Sequence, residues 1–264
     1  MKLSIVTINL NNKAGLRKTI DSVIAQTCKD FEWIIIDGGS TDESKELIEK
    51  YADYISYWVS EPDKGIFHAM NKGILASCGE YLLFLNSGDY LYDSDVLHNV
   101  LPLLTGCDFY VGREQRNVEN YIWDKNLSTT KEICLATLSF LPHQCTFIQR
   151  SIFTKYGFYH DELKFSSDWY LVYKALILGN ATISKIPVLV SVFEGNGVSA
   201  INWRDSKEER EQLINELPRI KFLSDFFCNN HEFIEAIKNT KWSLFLFRIY
   251  FFIYRKWLKK TDNT

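Results

Sequence analysis

Residues 81–89 read Tyr81-Leu-Leu-Phe-Leu-Asn-Ser-Gly-Asp89, an apolar run that ends on a carboxylate preceded by glycine. The first five side chains suit a strand that is buried on both faces of a sheet. Asp89 then has two interpretations: it is an ordinary turn residue, or it belongs to a site at the end of a strand. The segments on either side of this stretch bear on the choice.

The chain before residue 81 alternates between strand-like and helix-like patterns. The predicted strands are Leu3–Ile8, Glu32–Ile36, Tyr54–Val59 and Tyr81–Leu85, and the predicted helices are Ala14–Gln26, Asp42–Tyr51 and Ile66–Ala76. This order is typical of right-handed βαβ units. It predicts an α/β fold with a mostly parallel central sheet flanked by helices.

The alternation becomes less regular after Asp93. Here the predicted strands are Val118–Trp123, Thr146–Gln149 and one or two within Ala181–Phe193, and Ser167–Leu178 is a predicted helix. From Ser206 onward the chain is predicted to be helical and is increasingly aromatic. We therefore expect a domain over residues 1–205 and a C-terminal helical extension over residues 206–264.

Polar side chains follow each of the first four predicted strands. They are Thr7 and Asn9, Asp37, the segment Glu61–Gly65, and the segment Asn86–Asp89. Sites in open α/β sheets lie at the carboxyl ends of the strands. Carboxylates that converge on one crevice repel each other unless a cation or ligand hydrogen-bond donors lie between them. The pattern therefore favours a binding site over four unrelated turns.

Composition excludes several classes of function. A net charge of −3 gives no electrostatic basis for binding nucleic acid. The six cysteines include no CxxC pair, so neither a zinc site nor a redox motif is predicted. The apolar run at Leu3–Ile8 is too short for a signal-peptide core, so the protein is predicted to be cytoplasmic.

Six motifs occur in a fixed order between residues 3 and 195. They are Ser4–Asn9, Ile36–Asp42, Ser60–Gly65, Ala69–Gly73, Gly79–Asp89 and Ser167–Trp169. Through them the chain resembles the family-2 glycosyltransferases with the GT-A fold, and in particular the bacterial branch that builds capsule, lipopolysaccharide and exopolysaccharide. The resemblance implies an inverting, metal-dependent hexosyl- or N-acetylhexosaminyltransferase. Its donor would be a nucleotide sugar, with UDP favoured, and its acceptor a saccharide or a polyprenyl-diphosphate-linked sugar.

The resemblance also assigns roles to individual residues. It implies that Asp89 holds Mn²⁺ or Mg²⁺ and that Asp168 is the base, although an acidic residue at a helix start also suits position 168. Ser87 stands where many relatives carry an acid. The implied donor-binding residues are Thr7, Asn9, Asp37, Asp63, Lys64, Ser87 and Asp89, in which Asp37 accepts a hydrogen bond from the nucleobase. Lys64 either steadies a phosphate or is a solvated loop charge.

Two histidines and the C-terminal tail have more than one interpretation. His68 stands where relatives often have aspartate, and His143 resembles a pocket residue of this branch but equally suits a structural role. The aromatic segment Trp242–Leu258 is shorter than a membrane span and is followed by basic residues. It suits a helix in the inner membrane interface, a helix packed on the domain, or a dimer contact.

Two other functional classes are compatible with a nucleotide-binding α/β sheet. A sugar nucleotidyltransferase would carry a glycine-rich loop with Arg and Lys after the first strand, whereas this chain has Asn9-Leu-Asn-Asn12. A catalytically silent protein would bind nucleotides or carbohydrates without turnover.

Overall fold

The computed structural model describes residues 1–117, 121–124, 141–179, 181–195 and 202–216. Its strands are β1 Leu3–Asn9, β2 Phe31–Asp37, β3 Tyr57–Ser60, β4 Tyr81–Phe84, β5 Tyr90–Leu91, β6 Phe109–Arg116, β7 Tyr121–Trp123, β8 Thr146–Gln149 and β9 Ile183–Phe193. Its α-helices are α1 Lys13–Ile24, α2 Ser44–Lys50, α3 Ile66–Ala76, α4 Val96–Val100, α5 Ser151–Tyr156, α6 Ser167–Tyr173 and α7 Trp203–Glu216. Short 3₁₀ turns cover Ala52–Tyr54, Leu101–Leu103 and His143–Cys145, and a π-turn covers Lys174–Leu178.

The described strands form one mixed sheet in the order β3-β2-β1-β4-β8-β6-β9-β5, with β7 beside β6. The predicted parallel arrangement is present in β3, β2, β1 and β4. In the other half of the sheet, β8 is antiparallel to both of its neighbours, while β6 and β9 are parallel. The carboxyl ends of β1, β2 and β4 therefore meet at one edge.

The central parallel strands are buried and mostly apolar. Every residue of β1 and β4 is buried. Helix α3 packs so closely on β1 that a Cβ added at Gly73 would lie 2.3 Å from Val6 Cγ1. Glycine at this helical position thus sets the distance between helix and sheet.

The second half of the sheet differs in detail from the prediction. Strand β6 was not predicted, because only Phe109–Val111 is an apolar run and the strand continues with mostly polar residues. The predicted strand or strands of Ala181–Phe193 form the single strand β9, which passes through Pro187. This proline lies where the β6–β9 register skips between Lys185 and Leu189, a place that tolerates the missing N–H.

Helix α7 runs across the predicted domain boundary between residues 205 and 206. The Glu209 carboxylate accepts hydrogen bonds from the backbone N–H groups of Lys164 and Phe165, at 2.7 and 2.9 Å. The Ser166 hydroxyl donates to the backbone oxygen of Ser206 at 3.2 Å. These contacts attach α7 to the segment before α6. The predicted tail helix at Trp242–Leu258 lies outside the described residues, and within them no helix has the length and apolarity of a membrane span.

Candidate active site

Helix α1 holds the turn that follows β4. The Asn12 side chain caps α1 by accepting from the Gly15 N–H at 3.1 Å and donates to the Ser87 carbonyl at 2.9 Å. Thr19 accepts from the Gly88 N–H at 3.1 Å and donates to the Asp89 carbonyl at 2.7 Å. Gly88 has a φ of 106°, which glycine adopts readily. The turn thus directs Asp89 to the edge of the sheet, and sequence reasoning had assigned no role to Asn12 or Thr19.

A cavity of about 430 Å³ opens beside this turn. It brings together three of the predicted site residues, namely Ser87, Asp89 and Asp168, and its wall also includes His143. The predicted donor residues Thr7, Asn9, Asp37, Asp63 and Lys64 are not among its lining residues. The predicted site residues therefore fall into two groups, one in the cavity and one near the ends of β1, β2 and β3.

Asp89 is a buried carboxylate in an acidic surrounding, with 8% of its surface exposed. Burial raises the pKa of Asp89 to about 7, and the charges of Glu114 and Glu194 act in the same direction. The charge of His143 and the backbone N–H of Glu194 oppose this rise. A nearby positive charge would therefore stabilise the ionised form of Asp89.

Asp168 is the second residue of α6, and both of its carboxylate oxygens have partners. Oδ1 accepts from the Trp169 backbone N–H at 2.8 Å, and Oδ2 lies 3.4 Å from His143 Nδ1. The other ring nitrogen of His143 lies 3.0 Å from Asn86 Nδ2. Burial lowers the pKa of His143, but the neighbouring carboxylate of Asp168 and the charge of Asp89 raise it above its ordinary value. Asn86, His143 and Asp168 therefore form a chain of contacts along the cavity wall.

The second group surrounds Asp37, which is fully buried. Its carboxylate accepts hydrogen bonds from Asn9 Nδ2 at 2.7 Å, from the N–H and hydroxyl of Ser40 at 2.9 and 2.6 Å, and from the Ser60 hydroxyl at 2.7 Å. Burial raises the pKa of Asp37, but these bonds outweigh it and hold the pKa below its ordinary value. All four acceptor positions are met by the chain. A nucleobase donor at Asp37 would have to displace one of them, so the predicted role stays a prediction.

The remaining predicted donor residues have the following neighbours. Thr7 is buried, and its hydroxyl accepts from the Trp33 indole N–H at 3.1 Å. Asp63 pairs with Lys72 at 2.6 Å and with His68 at 3.2 Å, which gives His68 a structural partner that its sequence position did not reveal. Lys64 is exposed. None of these placements tests donor binding.

Comparison with known proteins identifies the family. Residues 4–164, more than half of the chain, match the family model described as glycosyl transferase family 2. The chain belongs to glycosyl transferase family 2. Among related family members is a PGL/p-HBAD biosynthesis glycosyltransferase of Mycobacterium bovis, 31% identical over 177 residues, which are 63% of this chain and 66% of the relative. The chain thus spans just under two thirds of that relative. An uncharacterised glycosyltransferase of Mycobacterium tuberculosis is 32% identical over 67% of this chain and 69% of its own length.

Solved structures confirm the predicted GT-A fold of this family-2 member. The crystal structure of S. aureus TarS in complex with UDP-GlcNAc superposes with a TM-score of 0.65 at 17% identity, over 88% of this chain and 72% of that one. The mannosyltransferase PcManGT from Pyrobaculum calidifontis, in complex with GDP-Man and Mn²⁺, gives a TM-score of 0.63 at 14% identity, over 97% and 82% of the two chains.

The residues of the cavity fit a divalent cation that is completed by a ligand. The described residues contain no cluster of three or more His, Cys, Asp or Glu side chains arranged to hold a metal. Mg²⁺ is commonly held by one or two carboxylates together with waters and substrate phosphates, so a single protein ligand can suffice. The raised pKa of Asp89 indicates a carboxylate that a cation would stabilise. The assignment of a metal to Asp89 therefore stays a prediction with which the chemistry of the cavity is compatible.

Proposed function

We propose that the chain is an inverting, metal-dependent glycosyltransferase that takes a sugar from a nucleotide-sugar donor, with UDP as the expected nucleotide. The observation that carries the proposal is the cavity, whose wall includes both a carboxylate suited to a cation, Asp89, and a second carboxylate suited to a base, Asp168. The rival class of sugar nucleotidyltransferases is disfavoured because Asn12, rather than a glycine-rich loop with Arg and Lys, follows β1.

The donor diphosphate is expected to lie against the turn at Ser87–Asp89. Asp89 would hold Mn²⁺ or Mg²⁺ there, and a bound cation supplies positive charge that neutralises the leaving nucleoside diphosphate. The lack of a Cβ at Gly88 leaves room for the diphosphate close to the backbone. Asn9, Asp37 and Asp63 stand at the ends of the neighbouring strands, where we expect the nucleoside, and Thr7 and Lys64 remain predicted members of this donor group.

The transfer itself needs a base on the acceptor side. An acceptor hydroxyl attacks the anomeric carbon in line as the bond from that carbon to the diphosphate oxygen breaks, which inverts the configuration. Asp168 would take the hydroxyl proton, and its carboxylate accepts from the Trp169 N–H and lies 3.4 Å from His143 Nδ1. The transferred sugar is expected to be a hexosyl or N-acetylhexosaminyl group.

The acceptor is expected to be a saccharide or a polyprenyl-diphosphate-linked sugar in cell-surface polysaccharide biosynthesis. Lys164 and Arg210 line the cavity near Phe165 and Trp169, and within the described part of the chain neither cation has a carboxylate partner. Lys and Arg suit phosphate groups, and the aromatic side chains give the cavity an apolar wall. Such an acceptor places the enzyme in the cytoplasm, at the inner face of the membrane.

The decisive experiment is the substitution Asp168→Asn, which keeps the shape of the side chain and removes its basicity. Release of nucleoside diphosphate should fall by about 10²–10⁴-fold, while the affinity for UDP in the presence of Mn²⁺ should change little. Asparagine is a good residue at a helix start, so a role limited to the helix predicts near-normal turnover. Binding of UDP without turnover by the unsubstituted protein, across a panel of donors and acceptors, would support the silent binding protein instead.

A further inference from the structure

His143 lies between the residue proposed as base and the strand that leads to Asp89. It begins the 3₁₀ turn His143–Cys145 before β8 and is part of the cavity wall. Asn86 directly follows the central parallel strand β4, and Asp168 begins α6. The imidazole thus connects two elements that the chain places far apart in sequence.

Both ring nitrogens of His143 have a polar neighbour. Asn86 Nδ2 lies 3.0 Å from Nε2, and which atom donates in this contact is set by the tautomer of the ring. Nδ1 lies 3.4 Å from Asp168 Oδ2, which is an ion-pair distance without hydrogen-bond geometry in this structure. The ring is thus held beside the Asp168 carboxylate, and a proton on Nδ1 would face Oδ2.

This contact complements the one made by the helix. Asp168 Oδ1 already accepts from the Trp169 N–H at 2.8 Å, which fixes one oxygen. The imidazole beside Oδ2 restricts the rotation of the carboxylate about its Cβ–Cγ bond, and lone pairs remain on each oxygen. Because the carboxylate is part of the cavity wall, these lone pairs are available to an acceptor hydroxyl.

We propose that His143, itself held by Asn86, is a positioning residue that orients the Asp168 carboxylate toward the acceptor hydroxyl. The proposal rests on the proposed function and deepens it, because it predicts which step His143 serves. A misalignment of about 1 Å at a reacting group can cost about 10²-fold in rate. A histidine that only fills space would instead act on stability.

Three substitutions at position 143 separate the contacts of the ring. Asparagine can place its amide nitrogen near the position of Nδ1 and keep a donor toward Asp168. Glutamine places its amide near Nε2 and keeps only the contact with Asn86, and alanine removes both. We expect kcat to fall by about 10²-fold in His143→Ala and His143→Gln and by no more than a few fold in His143→Asn. Donor KM and UDP affinity should be the same in all three variants, because each removes the same imidazole charge near Asp89.

The matched control is His160→Asn, since His160 is exposed, packs on Tyr170 of α6 and is not part of the cavity wall. Its kcat should equal that of the unsubstituted protein. Adding His143→Ala to Asp168→Asn should lower the residual turnover little further, because the two residues act as a unit.

A readout independent of turnover is ¹⁵N NMR of the five histidine side chains. Asp168→Asn should shift the His143 Nδ1 resonance, which is assigned by its loss in His143→Asn, and leave that of His160 in place. The inference is overturned by an unshifted His143 resonance, by equal kcat in the Asn and Gln variants, or by multiplicative losses in the double variant. Absence of turnover in the unsubstituted protein would overturn the proposed function as well, whereas normal turnover with indifferent variants overturns only the role of His143.

Discussion

Replacing Asp89 by asparagine removes a charge from the cavity and nearly preserves the volume of the side chain. In the metal-free protein, burial and then the charges of Glu114 and Glu194 raise the pKa of Asp89 from its ordinary 3.8 to about 7. The folded value lies above the unfolded one, so ionised Asp89 lowers the free energy of unfolding. This cost is absent below about pH 4, grows as the pH rises, and is complete above about pH 7.

The expected size of the effect follows from the two pKa values. The difference between 3.8 and about 7 corresponds to about 4 kcal/mol, at about 1.36 kcal/mol for each pKa unit. At pH 5 the cost is about 2 kcal/mol by the same relation. With about 2.1 cal/mol/K of unfolding entropy for each of the 264 residues, Asp89→Asn should raise the Tm by up to about 7 °C at pH 8 and about 3 °C at pH 5.

The assay is thermal unfolding followed by circular dichroism, in EDTA, at both pH values. Asp161→Asn is the matched control, because Asp161 is exposed and should change the free energy of unfolding by less than about 0.5 kcal/mol. Adding Mn²⁺ with UDP at pH 8 should stabilise the unsubstituted protein and not Asp89→Asn. A Tm difference that is the same at both pH values, or Mn²⁺-dependent UDP binding that survives the substitution, would refute this account of Asp89.

Three further predictions concern other parts of the chain. Asp37→Asn should lower the free energy of unfolding at pH 7 by about 1–3 kcal/mol, measured by urea titration. The pKa of Asp37 is lowered in the folded protein, so its contribution to stability is present above pH 3.8 and is lost as the pH falls through the folded pKa. An unchanged urea midpoint would contradict this prediction. Gly73→Ala should lower the free energy of unfolding by about 1–3 kcal/mol, because the added methyl group would contact Val6. Adding Val6→Ala should recover part of this loss, whereas strictly additive losses would rule out the contact. Removal of the residues after Lys241 should abolish sedimentation with anionic liposomes, because burial of the aromatic side chains in the membrane interface contributes about 25 cal/mol per Å² to binding. Equal pelleting of the full-length and shortened proteins would favour a tail packed on the domain.

The parallel half of the fold is predictable because its signals are local. The strands β1, β2 and β4 are almost entirely buried, so each is mostly apolar and ends at a polar turn. Strand β6 has no apolar run of this kind, because most of its residues after Val111 are polar. Its Glu114 is buried and pairs with Arg116, with 2.8 Å between Oε1 and Nε. Its place in the sheet depends on pairing with β8 and β9, which no short window of sequence contains.

The sequence predicted the carboxylates of the candidate site but not the residues that contact them. Asp89 and Asp168 stood out because each lies within a motif that carries the family resemblance. The contact of Asn12 with Ser87 joins residues 75 positions apart, and that of His143 with Asn86 joins residues 57 positions apart. Hydrogen bonds of this kind are decided by tertiary packing. A sequence pattern can indicate that a polar residue needs a partner, but it does not name one.

The attachment of α7 bears on how this enzyme class diversifies. The family match ends at residue 164, and α7 contributes Ser206 and Arg210 to the cavity from beyond that limit. Among the described contacts, its links to the segment before α6 include two backbone N–H groups that donate to Glu209 and one serine hydroxyl. Links to the main chain survive changes of the side chains around them. Evolution can therefore exchange the cavity-facing residues of α7 while the sheet stays constant, and we expect close relatives to differ most in acceptor choice along this helix.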